Sequence, residues 1–290
     1  MQHYYELFLG SFTGYWSYLL SEILHPGWHN YFYWLLGLSI TVWLFEIVLP
    51  WRKQQPIFRK DFWLDGFYMF FNFFLFSLVA YNAISNIAVQ AFNDFLGLFG
   101  ITNLVAINVA GWPKGLQLLL MFLVADFIQW NVHRMLHKVP SLWEFHKVHH
   151  SVKEMGFAAH LRFHWMETII YKSIQYIPLA IIGFGIQDFF LVHIFSVAIG
   201  HINHANVYVT YGPLKYLLNN PAMHIWHHAK HLPDGSAGVN YGISLSLWDY
   251  LFGTVYLPSN GRDIELGFSK DENFPDRFFS QISYPFLKSK

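Results

Sequence analysis

Histidine is concentrated in one part of this 290-residue chain. Fourteen of its seventeen histidines fall between residues 133 and 231. Eight of the fourteen form three clusters, which are HRMLH at 133–137, HKVHH at 146–150 and HIWHH at 224–228. Neutral imidazole is the commonest side-chain metal ligand, and one ion needs only about three or four of them. The clusters therefore predict a site for two metal ions side by side.

The spacing inside each cluster predicts a helix that presents its histidines on one face. The first cluster has the spacing i, i+4, and the other two have the spacing i, i+3, i+4. Pro140 separates the first two clusters and predicts a new helix that begins close to it. For the third cluster, Asn220 is a candidate N-cap and Pro221 a first-turn proline, and Pro233 is expected to end that helix.

The composition indicates a membrane protein. Hydrophobic residues make up 54% of the chain and charged residues only 12%, against about 25% charged in ordinary soluble domains. The net charge is zero, which gives no electrostatic case for a nucleic-acid partner. There is no cysteine, so disulfides, cysteine zinc sites, iron–sulfur clusters and thiolate-bound haem are excluded.

Long apolar runs predict the membrane segments. A span needs about 20 predominantly apolar residues, which predicts transmembrane helices near 31–49, 66–92 and 115–132. The run at 170–200 is too short for two full spans and predicts a re-entrant helical hairpin, bent near 183–188. The expected fold is therefore all-α and membrane-embedded, with about three to four transmembrane helices and this hairpin.

We expect one domain over residues 1–290, with a cytoplasmic helical cap at 131–169 and 201–257 that holds the di-metal site, and a C-terminal tail at 258–290. The orientation follows from the basic residues. If the first two runs are spans, 17 of the 18 lysines and arginines lie on one side with all three clusters, and Lys114 lies on the other. By the positive-inside bias the histidine side is cytoplasmic. Residues 1–30 lack the basic start of a secretory signal. These features fit a bacterial inner membrane or an endoplasmic reticulum equally.

Other residues are placed relative to the clusters. Asp126 lies seven residues before His133 on the same face, and we expect it to accept the second N–H of a ligand histidine. His204 is a candidate ligand. His160, His164 and His201 are further candidates, each of which could instead cap a helix. A core position is expected for His193, a surface position for His231, and the opposite side of the membrane for His3, His25 and His29.

Taken together, these motifs resemble those of the sterol desaturase / fatty acid hydroxylase superfamily. The resemblance covers about 116–257 and extends beyond the clusters to DFIQWNVHR from Asp126, LRFH ending at His164, HAN from His204, NYG from Asn240 and LWDYLFGT around Asp249. It implies a membrane-bound, non-haem di-iron oxygenase that acts on lipids. The metal ligands it implies are His133, His137, His146, His149, His150, His204, His224, His227 and His228. Asn240 and Asp249 are then expected to act with Asp126 in supporting these ligands.

The resemblance also implies the cofactors and partners. These are two iron ions, O2 as co-substrate, a lipid substrate such as a sterol, fatty acyl chain or alkylglycerol, and an external electron donor. The donor is cytochrome b5, a ferredoxin or, if the alkylglycerol monooxygenase-like branch is the right comparison, a pterin. Hydroxylation, desaturation and cleavage of an ether through a hydroxylated carbon all remain open, and the motifs favour hydroxylation.

Two other classes of function are compatible with a histidine-rich membrane protein. A metal-binding or metal-transport protein would place its ligands near the bilayer midplane, whereas here the clusters flank the apolar runs. A zinc-dependent membrane hydrolase would use about three protein ligands, which leaves most of the histidines unexplained. A family member that has lost its activity is a third alternative, although every histidine of the pattern is present.

Overall fold

The computed structural model describes residues 2–28, 30–72, 76, 82–101, 105, 107–182, 184 and 186–287. Its helices are α1 (Gln2–Leu24), α2 (Tyr31–Val48), α3 (Phe62–Phe70), α4 (Asn82–Gly97), α5 (Lys114–Lys138), α6 (Pro140–His150), α7 (Trp165–Ile182), α8 (Ile186–His204), α9 (Pro221–His227), α10 (Leu247–Leu251) and α11 (Phe278–Leu287). Within the described ranges no β-strand forms, and the extended pairings are two isolated bridges. The all-α prediction is confirmed.

Two of the helices are long and apolar enough to cross a membrane, namely α2 and α5. They correspond to the first and third predicted spans. Apolar side chains along α2 are exposed, including Leu44 at 52% and Val48 at 70%, as expected for a surface in contact with lipid. Two helices of this kind, one of them with an exposed apolar surface, indicate a membrane protein.

The second predicted span, near 66–92, corresponds to α3 and α4 with a stretch between them that lies partly outside the described residues, at 73–75 and 77–81. Helix α4 packs against α1, which the apolar runs did not predict. Tyr4 of α1 donates a hydrogen bond to Asp94 of α4 (3.0 Å). Leu19, further along α1, packs in a core cluster with Leu35 and Val197. Helix α1 is thus part of the fold.

Helices α7 and α8 form the hairpin predicted at 170–200, but they are longer than that prediction. They contain 18 and 19 residues, which corresponds to about 27 and 28 Å of helix. Asp188, near the start of α8, forms a salt bridge with Lys114 at the start of α5. The hairpin therefore extends along α5 to the end opposite the histidines.

The cap begins where α5 ends. Pro140 is the first residue of α6, and α6 packs back against α5. Asn220 caps α9 by accepting a hydrogen bond from the backbone N–H of Met223 (3.1 Å), and Pro221 is the first residue of that helix. Both starts agree with the sequence, but α9 ends at His227, well before Pro233.

Candidate metal centre

The nine histidines predicted as ligands come together in two groups. The first histidine group is His133, His137, His146, His150 and His227, and the second histidine group is His149, His204, His224 and His228. In each group the potential ligand atoms lie within 4.8 Å of one another, and all nine side chains are buried. Each group could hold a metal ion.

The two H-x-x-H-H clusters each contribute to both groups. On α6, His149 belongs to the second histidine group while the other two histidines of its cluster belong to the first. At α9 the division is reversed, since His227 belongs to the first group and the other two belong to the second. Residues i and i+4 project in similar directions and residue i+3 is rotated away from them. Each helix therefore lies between two sites.

The two groups are in direct contact. The ring centroids of His150, in the first group, and His228, in the second, lie 4.6 Å apart. Inside the second group, Nε2 of His224 lies 3.0 Å from Nε2 of His204. Two ions held by these groups would be neighbours and could act on one substrate.

A short segment after α9, residues 237–241, accepts hydrogen bonds from three ligands of the first group. Its carbonyl oxygens at Ala237, Val239 and Tyr241 lie 3.2, 2.8 and 2.7 Å from Nδ1 of His137, His227 and His133, respectively. A proton held on Nδ1 leaves the Nε2 lone pair for a metal and fixes the ring orientation. We call residues 237–241 the acceptor segment. Its carbonyl contacts could not be predicted from the sequence, because the acceptors are backbone atoms; of its residues, Asn240 alone was expected to support the ligands.

The side chains of Asn240 and Asp249 hold the acceptor segment in place. The Asp249 carboxylate accepts hydrogen bonds from the backbone N–H groups of Tyr241 (2.9 Å) and Gly242 (2.8 Å). Asn240 has a φ of 49°, a left-handed conformation that asparagine tolerates better than most residues, and its amide donates to the carbonyl of Met223 (2.9 Å). Both residues act on the ligands through the backbone and not by touching a ring.

Glu167, in the first turn of α7, was missed by the sequence analysis. Its Oε2 lies 2.8 Å from Nδ1 of His146, and Oε1 accepts a hydrogen bond from the backbone N–H of His164 (3.2 Å). Burial raises the pKa of Glu167 to about 7, although neighbouring His149 opposes that shift. An acidic residue three positions after His164, at the start of an apolar helix, was the signal that could have identified it.

The prediction for Asp126 is wrong. Its Oδ2 accepts a hydrogen bond from the indole N–H of Trp248 (2.9 Å), whereas the second nitrogen of His133 contacts the carbonyl of Tyr241. The two residues share a helix face, but seven residues correspond to about 10 Å along the axis. That rise is too long for a direct hydrogen bond. Asp126 supports the site only indirectly, by fixing Trp248 of α10.

The three further candidate ligands lie outside both groups. His201 lies between His160 and Ser39. Its Nδ1 is 3.0 Å from Nδ1 of His160, and its Nε2 is 3.1 Å from the hydroxyl of Ser39. His164 Nε2 lies 2.9 Å from the carbonyl oxygen of Ile282. These rings are therefore engaged in hydrogen bonds that fasten α8 to α2 and the C-terminal region to the start of α7.

The remaining histidines are away from the two groups. The side chain of His231 is 80% exposed and lies 3.5 Å from Glu265, in agreement with the surface position expected for it. His3 belongs to α1 and His25 directly follows it. His29 lies outside the described residues.

Burial keeps the ligand rings in the form that binds metal. Burial lowers the pKa of six ligand rings well below the usual value, and the positive charge that neighbouring rings would carry lowers it further. These rings are His146, His150, His204, His224, His227 and His228. Burial also lowers the pKa of His149. Metal binding requires neutral imidazole. The Nε2 atoms of His137, His150 and His227 are buried without a hydrogen-bond partner. A metal ion would satisfy these atoms, so the residues fit one.

The type of ligand limits which metal ions could bind. Each group consists only of imidazoles, which suit iron, copper, zinc or nickel. The five rings of the first histidine group exceed the four ligands of tetrahedral zinc. Neutral ligands also leave the full positive charge on the ion.

A cavity of about 220 Å³ opens from the metal centre. Rings of both groups form one end of it, and it continues between α5, α7 and α8. Its walls include apolar side chains such as Leu161, Phe163 and Val197. His193, expected in the core, lines this cavity and stacks on Tyr31 at 5.4 Å between ring centroids. The cavity connects the candidate centre with the part of the protein formed by the apolar helices.

Part of the chain is similar in sequence to known proteins. Residues 118–254 match the family model described as fatty acid hydroxylase. The ornithine lipid hydroxylase OlsE of Rhizobium tropici is 33% identical over 177 residues, which cover 61% of this chain and 52% of the relative. The alkylglycerol monooxygenase of Homo sapiens is 35% identical over 135 residues, 46% of this chain and 29% of the relative.

A very-long-chain aldehyde decarbonylase, GL1-10 of Oryza sativa subsp. japonica, is 28% identical over 141 residues, 48% of this chain and 46% of the relative. The chain thus spans about half the length of the Rhizobium relative, and less of the other two. No solved structure matches the chain significantly. All nine histidines of the two groups fall inside the matched region. The part of the chain that holds the candidate metal centre is thus similar to the fatty acid hydroxylase family.

Proposed function

We propose that this protein is a membrane-bound oxidoreductase that uses two iron ions and O2 to oxidise a C–H bond of a lipid. The observation that carries the proposal is the pair of adjacent, buried, all-imidazole groups at one end of a cavity between apolar helices. The names of two relatives support it, since one is a lipid hydroxylase and another a monooxygenase of an alkylglycerol.

The residues of this chain would have separate tasks. The first and second histidine groups would each hold one iron through Nε2 or Nδ1 lone pairs, and the acceptor segment and Glu167 would fix the ring orientations. The iron pair would supply the reduction of O2 and the oxidising power for an unactivated C–H bond. The apolar cavity walls would orient the lipid and exclude bulk water from it.

Hydroxylation is the reaction we favour. In it, one oxygen atom of O2 enters the C–H bond, and the other leaves as water with two electrons and two protons. The electrons would come from a separate donor, which we expect to be cytochrome b5, a ferredoxin or a pterin. Desaturation would draw on the same donor. Ether cleavage would follow hydroxylation of the carbon next to the ether oxygen.

We also propose a topology for the whole chain. Helices α2 and α5 would cross the membrane as part of a single multi-pass domain over residues 1–290, with both histidine groups on the cytoplasmic face. The basic residues support this orientation. So does the position of Lys114 at the end of α5 opposite the histidine groups.

The metal content of the purified protein tests the proposal. We expect close to two irons per chain, with a Mössbauer spectrum of a coupled pair after growth on labelled iron. Incubation with lipids, a reductant and ¹⁸O2 should then give a product that contains one labelled oxygen atom. One tightly bound zinc per chain and no iron, even after anaerobic iron loading, would overturn it in favour of a zinc hydrolase or a metal-binding protein.

A further inference from the structure

The end of the cavity away from the histidine groups is polar. Along α7 the cavity is lined from Glu167, which contacts His146, to Gln175. These two positions are eight residues apart, or about 12 Å along the helix. Tyr171 and Lys172 lie between them on the same lining face. A lysine is costly in an apolar environment and usually has a role there.

Helix α8 lines the opposite wall and adds to the same polar end. His204 of the second histidine group lines the cavity at one end of α8, and His193 lines it eleven residues earlier, a rise of about 16 Å. Lys172 on α7 and His193 on α8 both line this cavity. Tyr171, Gln175 and His193 can donate hydrogen bonds through O–H or N–H groups, as Lys172 can.

The charges of the cavity favour an anion. Among its described lining residues, Lys172 is the one lysine or arginine and Glu167 the one carboxylate. Glu167 is already engaged by His146 and by the backbone of His164. Two metal ions bound by neutral rings would add positive charge at the other end. A negatively charged ligand would therefore be attracted along the whole cavity.

We propose that Lys172 binds the anionic head group of the lipid substrate, a carboxylate or a phosphate, with Tyr171, Gln175 and His193 as further hydrogen-bond donors. This inference rests on the proposed function, because it assumes that the histidine groups and the cavity serve one substrate. It assigns the substrate to the acidic single-chain lipids and makes Lys172 a residue that determines specificity.

The position of Lys172 also determines which carbon is oxidised. Lys172 is five residues beyond Glu167, about 7 Å further along α7 from the ligand His146. A head group held there cannot place its own neighbouring carbon at the metal centre. The oxidised C–H bond would lie within the hydrocarbon chain, several carbons from the head group.

Binding of three probes of equal chain length tests the inference. Radiolabelled palmitate, hexadecyl phosphate and hexadecanol are added to the purified, metal-loaded protein in neutral detergent without O2, with micelles alone as the blank. We expect at least one anionic probe to bind about tenfold more tightly than hexadecanol, as a charge-assisted hydrogen bond provides. Lys172→Met should abolish that preference, and Lys172→Arg should retain it. The anionic probe that binds more tightly identifies the head group.

Lys53→Met, a lysine exposed in the loop after α2, is the matched control and should leave the preference unchanged. Iron content reports whether each variant is folded. Equal binding of all three probes to the wild-type protein would overturn the inference, and so would a preference for anions that survives in a folded Lys172→Met variant. A protein that binds an anionic probe through Lys172 but converts lipids to neither an ¹⁸O-labelled nor a desaturated product would overturn the proposed function and leave the anion site in place.

Discussion

At the scale of single residues, the candidate centre is defined by the hydrogen-bond partner of the second nitrogen in each ring. Three ligands of the first histidine group contact carbonyl oxygens of the acceptor segment, and a fourth contacts the Glu167 carboxylate. Carbonyl acceptors fix a tautomer without adding negative charge near the metal. Glu167 is different, because an ionised carboxylate makes His146 a stronger donor than its neighbours.

Loss of one ligand should lower the metal content without unfolding the protein. His227 is a member of the first histidine group, and its buried Nε2 has no hydrogen-bond partner among the described residues. We expect His227→Ala to remain in the membrane fraction but to retain about half of the wild-type iron or less, with no product formed. Iron is measured by mass spectrometry.

The matched control is His231→Ala, which changes an exposed histidine four residues away. It should retain full iron and full activity. Wild-type activity in His227→Ala would contradict a metal centre built from these rings.

Glu167 and Asp126 are both buried acids, but only Glu167 contacts a candidate ligand. We expect Glu167→Ala to lower iron affinity by about 10–100-fold, because His146 loses the partner that orients it. Asp126→Asn should leave iron affinity near wild type and lower only thermal stability, because it weakens the hydrogen bond to Trp248. The rate of iron loss to a chelator measures the affinity. Equal losses in the two variants would mean that Glu167 acts only as a packing residue.

At the scale of elements, α6 and α9 matter because each lies between the two groups. The H-x-x-H-H spacing serves two ions from one helix, with two histidines for one ion and one for the other. The division is reversed at α9, so each group receives three histidines from the two clusters together. The acceptor segment then contacts the three rings of the first histidine group that are not on α6.

Gly242 directly follows the acceptor segment, and the structure leaves no room for a side chain there. A Cβ atom at Gly242 would lie 2.2 Å from the carbonyl oxygen of Leu245 and 2.9 Å from Oδ2 of Asp249. We expect Gly242→Ala to displace Tyr241, weaken the contact to His133, and lower both iron content and activity. Gly111→Ala is the control, since nothing lies within 4 Å of its added Cβ atom. Normal iron content in Gly242→Ala would show that the segment can shift without disturbing the ligands.

The sequence predicted the members of the centre better than their arrangement. Side-chain type and spacing are visible in the chain, so the nine histidines and the starts of α6 and α9 could be predicted. The division of each cluster between two ions depends on how the helices are rotated in the fold. The role of Glu167 and the carbonyls of the acceptor segment depend on tertiary contacts, which composition and periodicity do not contain.

At the scale of the whole molecule, the apolar helices place a cavity directly against the candidate centre. Two of the predicted spans coincide with described helices that are long and apolar enough to cross a bilayer, because hydrophobic length reflects the thickness of a bilayer. The hairpin was predicted too short, since its apolar run is bounded by the polar residues Lys172 and His201. Both lie within the helices, Lys172 in α7 and His201 in α8, and His201 contacts the Ser39 hydroxyl (3.1 Å). Polar residues with partners inside the protein interrupt the hydrophobic pattern without ending a helix.

The proposed orientation can be tested by labelling, because the chain has no cysteine and single cysteines can be introduced one at a time. Lys60 precedes α3, Lys270 lies in the C-terminal region and Lys114 starts α5. We expect Lys60→Cys and Lys270→Cys to react with a membrane-impermeant maleimide only in inside-out vesicles, and Lys114→Cys only in intact cells. The salt bridge of Lys114 with Asp188 places the start of α8 at the same end of the fold as the start of α5. Labelling of Lys114→Cys from the cytoplasmic side would mean that α5 does not cross the membrane, and the cavity would then lie at the membrane surface.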